Sequence, residues 1–590
     1  MKTFKIEYKI STLNQKTMKK TLSILLVLLT NLLSLYAQHS SIESGKAYEY
    51  LQGERNKADL VLGDAKIPPI DSLKKAEKIL KEALVYFYTD KVQALAKTDK
   101  FLAGRETDIN FDLSVIKIKM GKPDVAIALL KKNLMSKDAS AYAKWMKDNS
   151  IFENVIKSSE LSPIFKKFDV ESKIFNGTAI QTPYQTNISE AEKIAGLSKF
   201  WSEAKYNFAY FENVPDLDWD KLYLEYIPLV QNTKSTLEYY KVMQKFCASL
   251  KDGHTNIWSS SDVIRDLTAY APPIRTMLIE NKVLIIKVLN DSLEKSGMRA
   301  GMEILSIDKT PVKEYAKNVM PYQSSSTEQD LILRTYTYSL LRGNKEQSVE
   351  LELKDIDGKI VTRKLPRKGY TKPKMNEAFE FKILPNKVAY FAINEFESDK
   401  SKQKFMSIFD TLANTTALIL DVRRNGGGNT DFSILSCLTD KPIKNAQEFV
   451  RKYVPTYRAW GNEEGIVWQQ EPQGESAPNG KKLYTKPVIL LISPQTFSAA
   501  EDFAVAFDSM KRGKMIGEAT GGSTGQPLMI TLPGGLMGRV CSKRDLYPDG
   551  KVFVGVGVQP DIKISPKVAD VIAGRDTVLE GALEYLKQQK

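Results

Sequence analysis

Residues 486–507, KPVILLISPQTFSAAEDFAVAF, set the frame for the rest of the chain. Val488 to Ile492 is an unbroken apolar run of the length expected for a strand buried on both faces, and Ala499 to Phe507 has the composition of a helix. A strand that turns directly into a helix predicts an α/β core, with Ser498 on the turn. A serine there has its hydroxyl at the carboxyl edge of a sheet, beside the unpaired N–H groups of a helix start, where negative charge is stabilised. That position suits an acyl-transfer nucleophile. A second reading stays open at the same residue, because Ser498 followed by Glu501 also spells a capping box, in which the hydroxyl only satisfies the N3 amide.

Two further stretches favour the chemical reading. In Thr416 to Asp431, TALILDVRRNGGGNTD, a second apolar run (Ala417 to Val422) leads straight into three glycines. Glycines at the end of a buried strand let backbone approach a ligand closely, and the lysine and spacing of a phosphate-binding loop are missing, which argues against a nucleotide. In Leu250 to Thr255, LKDGHT, stands one of only two histidines in the chain. The other, His39, lies beside an expected signal-cleavage point, so His254 is the candidate imidazole base for a serine enzyme.

The succession DVRRNGGG, TFSAAE, GEATGGSTGQ (Gly517 to Gln526) and GVGVQPDI (Gly555 to Ile562) resembles the tail-specific, or C-terminal processing, protease family, over roughly residues 189–567. The resemblance implies an α/β core of ClpP/crotonase-like character in which Ser498 is the nucleophile. It also implies an oxyanion hole made by the amide of Ala499 and one from the Gly426 to Gly428 run, with Gly427 the first choice. Lysine-type members carry their base where this chain has Ser523, so a Ser/Lys dyad is ruled out. The tricorn-like branch, which includes retinoid-binding relatives without protease activity, takes a histidine from the N-terminal part of the catalytic region, and LKDGHT resembles that segment. The glutamate that orients the histidine in that branch is matched here by Val554. Ser523, Glu518 and Asp549 are then accessory candidates, with Asp545 a further carboxylate on chemistry alone.

Length and composition bound the remainder. The 590 residues allow about four domains, and 42% hydrophobic with 26% charged residues is ordinary for a folded chain. A formal charge of +14 invites a nucleic-acid reading, but six lysines against Glu7 fall in residues 1–20, and the other basic residues are scattered among acids. Without an arginine-rich or basic-aromatic stripe, nucleic acid is not an expected partner. Lys19 and Lys20, then TLSILLVLLTNLLSLY (Thr21 to Tyr36) and Ala37, read as a secretory signal over residues 1–37, which implies export to a periplasmic or extracellular space; an uncleaved anchor is the one route to a membrane. Cys247, Cys437 and Cys541 are widely separated and show no metal-ligand spacing, so neither a metal nor an organic cofactor is expected.

Along the chain, residues 38–174 read as helical: SLKKAEKILKEALVYF repeats apolar positions at three and four, and DLSVIKIKMGKPDVAIALLKKNL around Gly121 resembles a tetratricopeptide-type hairpin, a surface for a protein partner or a structural cap. FNGTAIQTPYQTNIS (residues 175–189) reads as a linker, and residues 190–265 as a helical cap that delivers His254. Residues 268–370 change to β-like runs around SGMRAGMEILSIDKTPV, which resembles the glycine turn and strand of a PDZ domain, a module that holds extended peptides at a sheet edge. Residues 375–590 form the α/β core, closed by one amphipathic helix over Val568 to Lys587.

The expected function is an exported serine endopeptidase acting on protein or peptide substrates, with its rate rising through the ordinary histidine pKa of about 6.5 unless that value is shifted. A peptide- or lipophile-binding protein on the same scaffold and an ester hydrolase are the alternatives.

Overall fold

The computed structural model describes residues 41–63, 68–136, 139–175, 177–371, 377–462 and 465–589, so the expected signal segment lies outside the described residues. The chain divides into two compact units, one of residues up to 177 with 472–477, the other comprising the remainder.

The first unit is helical among its described residues: α1 (Ile42–Leu62), α2 (Ile70–Phe87), α3 (Lys100–Lys119) and α4 (Pro123–Asn133), followed by further helices that end with Ser162–Phe175. Ser41 starts α1 through a reciprocal capping box, and Asp99 starts α3 by accepting from the amides of Phe101 and Leu102. The three-and-four spacing of α2 puts Leu73, Ala76, Leu80, Ala83 and Phe87 on one buried stripe, packed with Leu51, Ile109 and Leu113. Gly121 takes φ +71°, the left-handed conformation that lets the chain reverse between α3 and α4.

The second unit opens with α5 (Glu190–Asn207), α6 (Trp219–Gln231) and α7 (Thr236–Ala248). The aromatics here are mainly interior: Phe208 and Phe246 are fully buried, and Trp219 stacks on Phe246 at 4.5 Å, whereas Tyr206 is exposed. After α7 the chain passes through Leu250 to Thr255 into β1 (Asn256–Ser259). A β-rich insert follows, with strands β2 (Ile274–Ile279), β3 (Lys282–Val288), β4 (Glu303–Ile307), β5 (Ser348–Lys354) and β6 (Ile360–Pro366) in that spatial order, all antiparallel. Between β4 and β5 it carries α8 (Glu328–Leu333), which runs on as a π-helical segment, Arg334–Ser339. These helical turns have no periodic signature, because Thr327 to Ser339 mixes polar and apolar residues without a clean period.

The core sheet comprises β7 (Phe379–Leu384), β8 (Val388–Ile393), β9 (Ala417–Asp421), β10 (Val488–Ile492), β11 (Lys514–Gly517) and, after β12 (Pro527–Leu532) and β13 (Leu536–Cys541), β14 (Ile562–Lys563). Its spatial order is β14-β11-β10-β9-β8-β7, parallel except for β7. Every residue of β8, β9 and β10 is buried, which is why their sequences are continuous apolar runs rather than alternating ones. The parallel register, with Asp421 opposite Leu491, brings the loops after β9 and β10 to the same edge of the sheet. Helix α9 (Ala499–Met510) leaves from that edge. β1 joins β13 and β12 in a separate antiparallel sheet, which holds the end of the His254 segment.

The single C-terminal helix expected over Val568 to Lys587 is instead two, α10 (Val568–Ile572) and α11 (Thr577–Gln588). Gly574 at φ +69° breaks the run and Asp576 caps the second helix, accepting from the Leu579 amide. Val578, Ala582 and Leu586 of α11 pack on Val388, Ile419, Ile489 and Leu491, covering one face of the core sheet.

Candidate active site

The loop after β10 is tied down before it reaches Ser498. Thr496 Oγ1 donates to Val422 O (2.9 Å), Ser493 Oγ to Arg423 O (2.6 Å) and Phe497 N to Asn425 O (3.1 Å), so the ends of β9 and β10 are laced together. Ser498 itself has φ 58° and ψ −127°, a region nearly closed to residues with a Cβ, and holding it there costs on the order of 1–3 kcal/mol. Such strain at a strand-to-helix turn projects a serine hydroxyl off the sheet edge. Gly427 explains how the glycine run meets it: a Cβ there would lie 2.7 Å from Ser498 Cβ and 2.8 Å from Phe497 O. Only glycine permits that approach.

The structure brings His254 to this turn from 244 residues away: its Nε2 lies 2.9 Å from Ser498 Oγ, and its Nδ1 lies 2.7 Å from Ser523 Oγ. Of the capping pattern, the carboxyl half is present, Glu501 Oε2 accepting from Ser498 N (3.3 Å), while Glu501 N donates to Ser498 O (2.7 Å) and the Ser498 hydroxyl faces His254. Gly253 matters for the same steric reason as Gly427, since a Cβ at that position would come 2.9 Å from the Phe497 ring and 3.0 Å from Ser523 Oγ. Buried Asp252 fixes the histidine loop by accepting from His254 N (3.0 Å) and Thr255 Oγ1 (2.8 Å).

His254 is 4% exposed and its ring stacks on Phe497 at 4.7 Å and 9°. Burial, then the charges of Arg539, Arg334 and Lys543, push its pKa down to about 3. The expected titration near 6.5 is therefore corrected: desolvation and three nearby cations all oppose an imidazolium, and the ring is neutral at ordinary pH. A neutral imidazole has one acceptor nitrogen, as a proton-abstracting base requires.

Among the described residues, Glu518, Asp545 and Asp549 make no contact with the imidazole. Glu518 is half-buried just beyond β11, Asp549 lies in an exposed turn where it accepts from Lys551 N, and buried Asp545 sits 2.9 Å from Lys543 Nζ. Ser523 occupies the position behind His254 instead. The Ala499 N–H, at the first turn of α9, has no hydrogen-bond partner among the described residues. The Gly427 N–H does have one, Asn425 Oδ1 at 2.9 Å, so the oxyanion role expected of it requires exchange of that bond. The Gly428 N–H, next in the run, is unpartnered among the described residues.

Several contacts had no sequence signal. Ser326 Oγ accepts from Gly253 N (2.9 Å) and donates to Asp252 (3.3 Å). Thr327 Oγ1 donates to Gly521 O (2.9 Å), and Gln329 Nε2 to Thr520 O (3.0 Å) and Val556 O (3.1 Å). Arg334, paired with Asp330 at 2.8 Å, lies over the Phe497 ring at 5.2 Å. One segment of the β-rich insert thus holds both the His254 loop and the Ser523 loop. Nothing in the spacing of these residues pointed to that, since the insert's sequence reads as self-contained.

Residues 387–564 match the model of Peptidase family S41. The chain is 22% identical over 293 residues to a probable CtpA-like serine protease of Staphylococcus haemolyticus, covering 48% of this chain and 51% of that one. It is 26% identical over 311 residues to the chloroplastic C-terminal processing peptidase of Tetradesmus obliquus, covering 50% and 57%. The chain therefore spans about half the length of the curated relatives it matches. The solved structure of mature CPAF complexed with lactacystin shares the fold at a TM-score of 0.54 and 14% identity, over 68% of this chain and 97% of that one. A second structure of mature CPAF gives 0.54 at 16% identity, over 68% and 96%. On the motifs, the fold and these similarities together, residues 387–564 match Peptidase family S41 and the chain is similar, over about half its length, to C-terminal processing peptidases.

Proposed function

We propose that the chain is an exported serine endopeptidase acting on protein or peptide substrates. The observation that carries this reading is the 2.9 Å approach of His254 Nε2 to Ser498 Oγ on a strained strand-to-helix turn. Ser498 Oγ attacks the scissile carbonyl carbon while His254 Nε2 takes its proton. The same nitrogen then protonates the leaving amine, leaving an acyl group on Ser498 that water removes by the reverse sequence. With Nε2 as acceptor, Nδ1–H donates to Ser523 Oγ, which makes Ser523 the third member of a Ser-His-Ser arrangement. The Ala499 amide and a glycine amide of the Gly427 to Gly428 pair receive the oxyanion.

Export rests on residues 1–37, and no helix among the described residues is long and apolar enough to cross a membrane. The PDZ-like insert is the element proposed to hold an extended peptide, and the helical unit is proposed as a surface for a protein partner.

The test is incubation of the chain from Gln38 with an unfolded protein, beside its Ser498→Ala variant, with new termini identified by mass spectrometry. New termini from the parent alone are expected. If neither cleaves although both are folded, the binding-protein reading replaces this one.

A further inference from the structure

One buried titratable group beside the nucleophile has no role in the proposed mechanism. Glu501 is 0% exposed and forms no ion pair among the described residues. Four donors converge on it instead. Oε1 accepts from Thr520 Oγ1 (2.5 Å) and Gly522 N (2.8 Å), and Oε2 from Ser523 N (2.8 Å) and Ser498 N (3.3 Å). The Ser498 amide is shared with Ser523 O at 3.1 Å, so the nucleophile and the Ser523 loop are fastened to each other as well as to the carboxyl.

A helix start does not need such an arrangement. At α5 Ser189 and Glu192 form a reciprocal box with Ser189 exposed and Glu192 only half-buried, where a carboxylate keeps part of its hydration. Burying a carboxyl with no cation is costly, and burial pushes that of Glu501 up to about 8 against the pull of its donors. What the burial achieves is geometric. The carboxyl joins the amide of the nucleophile to the amides of Gly522 and Ser523, and Ser523 Oγ meets His254 Nδ1 at 2.7 Å. It thereby stands one residue behind the imidazole, in a chain whose matching position for an orienting glutamate is the buried, apolar Val554.

We infer that Glu501 is the positioning acid of the site: by gripping the amides of Ser498, Gly522 and Ser523 at one point, it sets the Ser523 hydroxyl that fixes the tautomer and orientation of His254. This rests on the peptidase reading above. Glu501 touches no reacting atom, so its removal changes turnover and not substrate affinity.

The experiment compares the parent chain from Gln38 with Glu501→Gln, which keeps the shape but turns two donors of its own toward two of the four incoming ones. Three quantities are read: labelling of Ser498 by a fluorophosphonate, kcat and KM on a peptide substrate, and the downfield Nδ1–H proton resonance of His254, easily assigned because the chain has only two histidines. The expected result for the variant is a kcat lower by about 10- to 100-fold with KM within about twofold. The Nδ1–H resonance is expected to move or broaden while thermal unfolding stays cooperative. A folded variant with unchanged kcat and resonance overturns the inference and leaves the peptidase reading intact, as does a variant whose loss lies in KM alone. A parent that neither labels nor cleaves overturns the reading itself. Should Glu501→Gln fail to fold, Thr520→Val removes one of the four donors, and an unchanged kcat and resonance there overturns the inference equally.

Discussion

The ion-paired acids of the helical unit and Glu501 of the second unit show two different ways of holding an acidic side chain. In the helical unit acids meet cations: Glu77 lies 2.7 Å from Lys117, and Asp112 lies 2.6 Å from Arg55, with side chains that keep some contact with water. In the second unit Asp330 and Asp545 also meet cations, but Glu501 is wholly enclosed and meets only amides and a hydroxyl. An ion pair between helices steadies packing and tolerates small displacements, because its attraction varies slowly with distance. A carboxyl held by four donors fixes the donors, since hydrogen bonds weaken steeply with angle and length. The difference teaches that the burial of Glu501 serves position, whereas the ion pairs serve cohesion.

The predictions test that contrast, beginning with the nucleophile. Ser498→Ala is expected to lower kcat/KM by about 10³-fold or more with the unfolding transition unmoved, and His254→Ala to do nearly the same. Steady-state kinetics beside calorimetry decides it, and a His254→Ala enzyme close to parental activity would remove the base assignment. Ser523→Ala comes next, with a loss of roughly 10- to 100-fold in kcat, because a neutral hydroxyl orients the imidazole without supplying a charge. Arg334→Met is expected to cost about fivefold in activity, from loss of the contact with Phe497 and the pairing with Asp330. Arg55→Met, in the other unit, should leave turnover unchanged and destabilise its own unit by roughly 3 kcal/mol, seen as an earlier transition on denaturant titration. If Arg55→Met instead reduced turnover while Glu501→Gln only reduced stability, the contrast would be inverted.

The pH dependence sharpens the same point. The native His254 pKa is pushed down to about 3, whereas the unfolded chain takes up that proton near about 6.5. The neutral form is the base, so kcat/KM should stay level as pH falls through 6.5 and drop only on approach to 3. For stability the sign follows from proton uptake: the contribution of the buried neutral ring is present above about 6.5 and is lost as pH falls below it. An acid limb centred at 6.5 would show that substrate-free burial does not describe the working site.

Much of the catalytic core is legible locally. Val488–Ile492 and Ala417–Asp421 announce themselves as strands because both faces are buried, and the turn at Ser498 follows from a helix beginning where a strand ends. The glycines at 253 and 427 are visible as residues, yet what excludes a Cβ at each, the Phe497 ring at one and Ser498 Cβ with the Phe497 carbonyl at the other, is not. The C-terminal segment kept its amphipathic period through Gly574, and the period concealed the break. Arg334, Ser326 and Thr327 gave no signal at all, because their partners lie in segments distant along the chain.

By itself, then, the sequence determined the buried core strands, the long amphipathic helices of the first unit, the residue types available for chemistry and the family resemblance, all of which depend on neighbours within a few positions. Only the tertiary structure decided which of those residues meet: Ser498 with His254 across 244 positions, His254 with Ser523 across 269, and a carboxyl read as a helix cap enclosed behind both. The physical reason is that hydrogen-bond partners, burial and the local field of Arg539, Arg334 and Lys543 are properties of the packed chain. A histidine near 6.5 in the unfolded chain becomes a neutral ring with a pKa of about 3 only once burial and those cations surround it.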